Sequence, residues 1–270
     1  SDDQSRQLWK MQTLTVLSPQ QDVEEEDQEF EEELQRNPYN PKTWFLYIAS
    51  KVESRPVVRN LICERAVKQL PGSYKIWHSY LTDRIKQCDD LCITDRRFEA
   101  TNNAFERGLT FMHKMPRIWM MYLEFLMRQH ILTRTRRTFD LAMMSLPITQ
   151  HERLWPLYVK FIRQPGVPPE TACRIYRRYI MLEPENVEEQ IKFLKSVHRL
   201  DEAAVLLTKV VNDQNFVSKR GRSKHKLWTE LCNLMCKNPL KVSSLKVDAI
   251  LRGAIRRYTS EIGYLWTSLA

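Results

Sequence analysis

The chain has 270 residues, with 42 lysines and arginines against 33 acids, for a formal net charge of +9. Only 6 glycines occur and runs of β-branched residues are scarce, which favours helix over sheet. No apolar stretch approaches the ~18 residues of a membrane-spanning helix, which excludes that class, and no charged-then-apolar leader opens the sequence.

In chain order, the first feature is DVEEEDQEFEEE at 22–33, nine acids and no base. The rest of the chain then carries +18. Such a split predicts an acidic N-terminal arm over 1–36 and a basic body over 37–270. A basic body suits RNA or acidic protein segments as partners.

From residue 37 onward the sequence repeats. The tryptophans Trp44, Trp77, Trp119, Trp155, Trp228 and Trp266 are separated by 33, 42, 36, 73 and 38 residues. The step of 73 fits two units with one tryptophan missing near Val187. A period of this size marks a helical-hairpin solenoid. Prolines 38, 71, 116, 147 and 184 mark the unit boundaries, since proline ends a preceding helix. In each first helix, Trp and Tyr stand at i and i+3: Trp44/Tyr47, Trp77/Tyr80, Trp119/Tyr122 and Trp155/Tyr158. Phe125, Phe161 and Phe193 extend that stripe. Each second helix carries a small residue: Ala66, Gly108, Ala142 or Ala254. A small residue there allows close helix approach, with the aromatic filling the space beside it. An aromatic stripe at helical spacing reads as core, so the Trp and Tyr positions are predicted to be packing residues. The expected architecture is all-α, a right-handed α-solenoid of about six hairpins with a truncated seventh beginning around Trp266.

Trp-x-x-Tyr on a first helix, followed by Glu-Arg-Ala and a terminal proline on the second, resembles the half-a-TPR (HAT) repeat. Longer strings sharpen this: FEEELQRNPYNPKTW (30–44), TRRTFDLAMMSLPITQHERLWPLY (135–158), VVNDQNFVSKRGRSK (210–224) and VDAILRGAIRRYT (247–259). Over roughly 22–270 the chain resembles the SYF-one (XPA-binding protein two) family of pre-mRNA-splicing factors. Members of that family are much longer, so the expectation is an N-terminal fragment.

Signals for chemistry are few. The six histidines form no H-E-x-x-H motif. GRSK at 221–224 lacks the first glycine and the lysine of a phosphate loop: Phe216 and Arg222 stand in their places. Cys88/Cys92 and Cys232/Cys236 are each four apart, but nothing completes a four-ligand zinc site. No metal, cofactor or small-molecule substrate is therefore expected. The densest basic run is VSKRGRSKHK at 217–226, where Lys219, Arg220, Arg222, Lys224 and Lys226 place five cations in eight residues. It reads as an exposed loop, a solvated connector or else a site for phosphates or an acidic peptide, or a nuclear-import signal. The acidic run at 22–33 is an expected internal ligand for it. The pairs Arg136-Arg137, Arg177-Arg178 and Arg256-Arg257 are expected to form salt bridges with acids such as Asp140, Glu170 and Glu183.

A solenoid offers long surfaces and no enclosed chamber, which points to scaffolding rather than catalysis. The resemblance implies a nuclear protein that binds spliceosomal proteins in the Prp-nineteen-associated complex and near the helicase Aquarius, with a link to transcription-coupled DNA repair. The alternatives are a HAT scaffold of mRNA 3′-end processing, or a protein that binds RNA directly through its basic surface.

Overall fold

The computed structural model describes residues 25–213 and 215–257. Every regular element among them is helical, and the chain divides into two compact units, 1–150 and 151–270. The first unit contains α1 (Glu25–Arg36), α2 (Pro41–Ser50), α3 (Pro56–Gln69), α4 (Tyr74–Lys86), α5 (Arg96–Met112), α6 (Pro116–Arg128), α7 (Leu132–Ser145) and a 3₁₀ turn, Ile148–Gln150. The second contains α8 (His151–Ile162), α9 (Pro169–Leu182), a 3₁₀ turn at Pro184–Asn186, α10 (Val187–Ser196), α11 (Leu200–Asn212), α12 (Lys224–Lys237) and α13 (Val247–Arg257). The pairs α2/α3 to α12/α13 are six hairpins.

Local chemistry sets the helix ends. Pro41, Pro56, Pro116 and Pro169 occupy first-turn positions, where the missing N–H costs nothing. Asn40, Asp95 and Ser223 cap their helices through side-chain oxygens that accept from Lys42, Arg97 and Lys226 N–H groups. Between α6 and α7, and between α10 and α11, the turn passes through His130 and His198 at φ 55° and 60°.

Trp44, Tyr47, Trp77, Tyr80, Trp119, Tyr122, Trp155, Tyr158 and Trp228 are all buried. Trp266 lies outside the described residues, and so does Trp9. Val187, in the unit lacking a tryptophan, is buried in a cluster with Ile191, Leu207 and Leu231. The small residue works as expected at Gly108: a Cβ there would lie 3.1 Å from Cε3 of Trp77 in the same hairpin.

The acidic segment departs from the expected arm. From Glu25 it is helix α1, which packs on α2: Leu34 is buried and Phe30 stacks on Tyr47 at 5.2 Å. Part of its charge is taken up locally. Asp27 forms a buried ion pair with Lys51 at 2.9 Å, and Glu31 takes a two-pronged contact from Arg65 at 2.6 and 2.7 Å. Charge composition alone hid the Phe30/Leu34 stripe that makes this helix a packing element.

Candidate functional site

Three polar systems recur on this scaffold. The first fixes the three tryptophans of the first unit. The indole N–H of Trp44 donates to the Pro38 carbonyl at 2.8 Å, Trp77 to Pro71 at 2.9 Å and Trp119 to His113 at 2.8 Å. Every acceptor lies six residues earlier, in the turn before the helix.

The second is a ladder running through the first unit. Tyr47, Tyr80 and Tyr122 donate to carboxylates sixteen residues earlier: Glu31 at 3.1 Å, Glu64, and Glu106 at 3.0 Å. Each of these glutamates also binds an arginine on the next second helix. Arg65 reaches Glu31, Arg107 reaches Glu64 at 2.5 and 2.8 Å, and Arg134 reaches Glu106 at 2.9 Å. The Glu64-Arg65 and Glu106-Arg107 dipeptides thus face both ways, glutamate forward and arginine back. Burial pushes the Glu64 carboxyl up, but Arg107 and Tyr80 outweigh it and hold it below the usual range. Arg65 holds Glu31 down in the same way. Burial, with Glu31 beside it, raises the Tyr47 phenol, and burial with Glu64 does the same for Tyr80. In α7 the dipeptide would fall at Asp140-Leu141, so the arginine is replaced by leucine. Arg134, two turns earlier, takes over the contact and also binds Glu99 at 2.8 Å.

The third system is a pair of amide clasps. Asn60 and Gln87 exchange hydrogen bonds of 2.9 and 3.0 Å, and Asn102 and Gln129 exchange bonds of 2.9 and 3.1 Å. Both span twenty-seven residues. Sequence reasoning missed them. The available signal was an Asn six positions before the small residue and a Gln ten after the tryptophan.

The basic run at 217–226 is largely tied down within the second unit. Ser218 Oγ donates to the buried Glu188 at 2.6 Å and accepts the N–H groups of Arg220 and Arg222. Lys219 binds Asn186 at 3.1 Å and lies 3.5 Å from Glu185. Arg220 lies 3.9 Å from Glu188, and Arg222 pairs with Glu230 at 2.8 Å. Lys224 and Lys226 belong to the first turn of α12 rather than to a loop, and Lys224 donates to the Asp213 carbonyl at 2.9 Å. Lys226 lines an open groove of about 380 Å³ with Lys195, Glu230, Asn233 and Lys237. The segment is therefore a latched connector. The acids that satisfy it are Glu185, Glu188 and Glu230, while Asp27 and Glu31 of the acidic run are held in the first unit.

The arginine pairs meet expectation in part. Arg177 lies 3.8 Å from Glu202, but Arg136 and Arg137 have no partner among the described residues. Glu170 is bound by Arg199 and Glu183 by Asn186. Each cysteine pair splits, with Cys88 and Cys232 buried and Cys92 and Cys236 exposed. Burial pushes the Cys63 thiol up to about 12 and that of Cys232 to about 11, which keeps both protonated and unreactive. Among the described residues no group of three or more His, Cys, Asp or Glu side chains could hold a metal ion.

The repeating Trp, Tyr, Glu and Arg geometry has a counterpart in known families. Residues 26–185 match the family model "Pre-mRNA-splicing factor Syf1/CNRKL1 N-terminal HAT repeat", and 187–270 match "Pre-mRNA-splicing factor SYF1 middle HAT repeat". The chain belongs to the SYF1 family. Its α-solenoid of HAT repeats follows from that membership and from the helical hairpins. It is 53% identical over 258 residues to the pre-mRNA-splicing factor syf1 homolog of Drosophila melanogaster, covering 96% of this chain and 29% of the relative. The pre-mRNA-splicing factor SYF1 of Homo sapiens is 53% identical over 247 residues, 92% of this chain and 29% of the relative. The pre-mRNA-splicing factor cwf3 of Schizosaccharomyces pombe is 38% identical over 91% of this chain and 31% of its own length. The chain thus spans about three tenths of these SYF1-family relatives.

Proposed function

We propose that the chain acts in pre-mRNA splicing as a non-enzymatic scaffold, in the nucleus, organising spliceosomal proteins on its helical hairpins. The observation that carries this reading is the match to SYF1 models across both units, together with relatives named as splicing factors. The Prp-nineteen-associated and Aquarius-containing assemblies are the proposed destinations, and a contribution to transcription-coupled repair would run through the same protein surfaces. The ladder and the clasps support it physically: the polar chemistry of the first unit is spent on holding repeats together, which leaves helix faces for partners. Within this reading the 217–226 connector takes a smaller share in partner binding, through Lys226 and the groove it lines. Affinity purification of the tagged chain from nuclear extract tests the proposal. The expected result is enrichment of splicing proteins. Recovery of 3′-end processing factors instead, or of no splicing protein, overturns it. Direct RNA binding is the competing reading, and would appear as a steep fall of RNA affinity with salt.

A further inference from the structure

The ladder breaks at one place, and the break creates a surface. Where Arg65 and Arg107 stand in the preceding repeats, α7 has Leu141, which is exposed. The fold has no use for it there: Arg134 supplies the charge to Glu106 from two turns away. Leu141 is also not alone. Phe111 at the end of α5, Met115 just after it, Met144 one turn beyond Leu141, and Ile148 in the 3₁₀ turn are all 41–76% exposed. Short turns join α5 to α6 and α6 to α7, and each of these pairs packs together, so α5 and α7 run the same way with their C-terminal turns at one end, and Arg134 ties them through Glu99 and Glu106. Five exposed apolar side chains collected there exceed the scattered single exposures normal for a protein surface.

Most of the charges around them are positive. Lys114 and Arg117 flank Met115, and Arg136 and Arg137 precede Leu141 on α7, with Arg137, Leu141 and Met144 at i, i+4 and i+7. All four cations are exposed and have no ion pair among the described residues. Nearby acids do not cancel them: Glu99 and Glu106 are taken by Arg134, and Asp140 is partly buried. Four of the five apolar groups are aliphatic or thioether and only Phe111 could stack on a base, which disfavours single-stranded RNA as the occupant.

We propose that the C-terminal turns of α5 and α7 are a docking surface for an acidic amphipathic helix of a partner protein, whose apolar stripe covers Phe111, Leu141 and Met144 while its carboxylates meet Lys114, Arg136 and Arg137. This is recognition of an amphipathic helix by an apolar patch, with charge complementarity at the rim. It extends the scaffold reading to a particular surface and is tested apart from it.

The test uses the 270-residue chain and a labelled synthetic helix with leucines at i, i+3, i+4 and i+7 and glutamates elsewhere. A lysine-for-glutamate version and an oligouridine serve as the comparison probes. Leu141→Arg is the informative variant, because it restores the residue type of the other repeats and should fold. The expected result is saturable binding of the acidic helix, weakened about tenfold or more by Leu141→Arg, with the melting temperature unchanged. Arg136→Ala with Arg137→Ala should weaken binding chiefly at low salt. The proposal is overturned if the acidic helix does not saturate, if the lysine helix binds equally, if Leu141→Arg leaves affinity unchanged, or if oligouridine competes for the same residues. Such a failure leaves the nuclear-extract result standing, and a failure there leaves this surface standing.

Discussion

Glu64 gathers the contacts that tie three helices: its own α3, α4 through Tyr80 and α5 through Arg107. Removing its carboxylate strands a buried tyrosine hydroxyl and frees a guanidinium, so Glu64→Ala should cost about 1–3 kcal/mol, read from the urea midpoint. The same carboxylates set a pH response. Glu31 and Glu64 have folded values below their ordinary ones. Their contribution is therefore fully present above the unfolded value near ~4.3 and is lost as pH falls through the lower folded values. Glu64→Gln should lose less stability than the parent on acidification through this window, and equal slopes would remove the ladder as the cause. At Gly108 two effects compete. Alanine is the better helix former by roughly 0.5–1 kcal/mol. Its Cβ, however, would sit 3.1 Å from a Trp77 ring that is buried and held by its hydrogen bond to Pro71. The ring cannot retreat, so Gly108→Ala should lower the thermal midpoint; a raised one would mean the hairpin breathes. The tryptophan register was legible because large aromatics at a fixed interval are rare. The role of the glutamates was not, because the Glu-Arg-Ala string marks the repeat without showing that its carboxylate meets a tyrosine sixteen residues on.

At the level of elements, the contrast lies between α1 and the 217–226 connector, both read from charge and both used by packing. In α1 the i, i+3, i+4, i+7 pattern of Asp27, Phe30, Glu31 and Leu34 was present but outvoted by composition. In the connector, exposure was inferred from charge density, whereas Ser218 anchors the segment to a glutamate whose side chain is only 5% exposed. Losing that anchor leaves Glu188 short of a donor. Ser218→Ala should therefore destabilise the second unit by about 1–3 kcal/mol. Lys226→Ala should stay within about 0.5 kcal/mol, since its ammonium has no partner among the described residues. Equal midpoints for the two would return the segment to a solvated connector. The turns offer a gain. His198 adopts φ 60° although it carries a Cβ, where glycine would be free of strain. His198→Gly should raise stability by up to about 1 kcal/mol in the same denaturation series.

Across the whole molecule, stability is local in origin. Within each compact unit, each helix packs on its sequence neighbours. A quasi-one-dimensional array of this kind transmits a defect through neighbouring interfaces, with loss at each step. Trp119 tests this, since it is buried, hydrogen-bonded to His113, and belongs to the last hairpin of the first unit. Truncating such a side chain costs about 3–5 kcal/mol, a large share of a domain's total. In Trp119→Ala, amide hydrogen exchange should lose protection first in α6 and α7, then in α4 and α5. The helices α10, α11 and α12, built around Leu207, Leu231 and Met235, should keep theirs. The order matters more than the size. Equal loss of protection in α11 and α12 would mean that the units unfold as one cooperative block, and that a partner bound to one of them stabilises both.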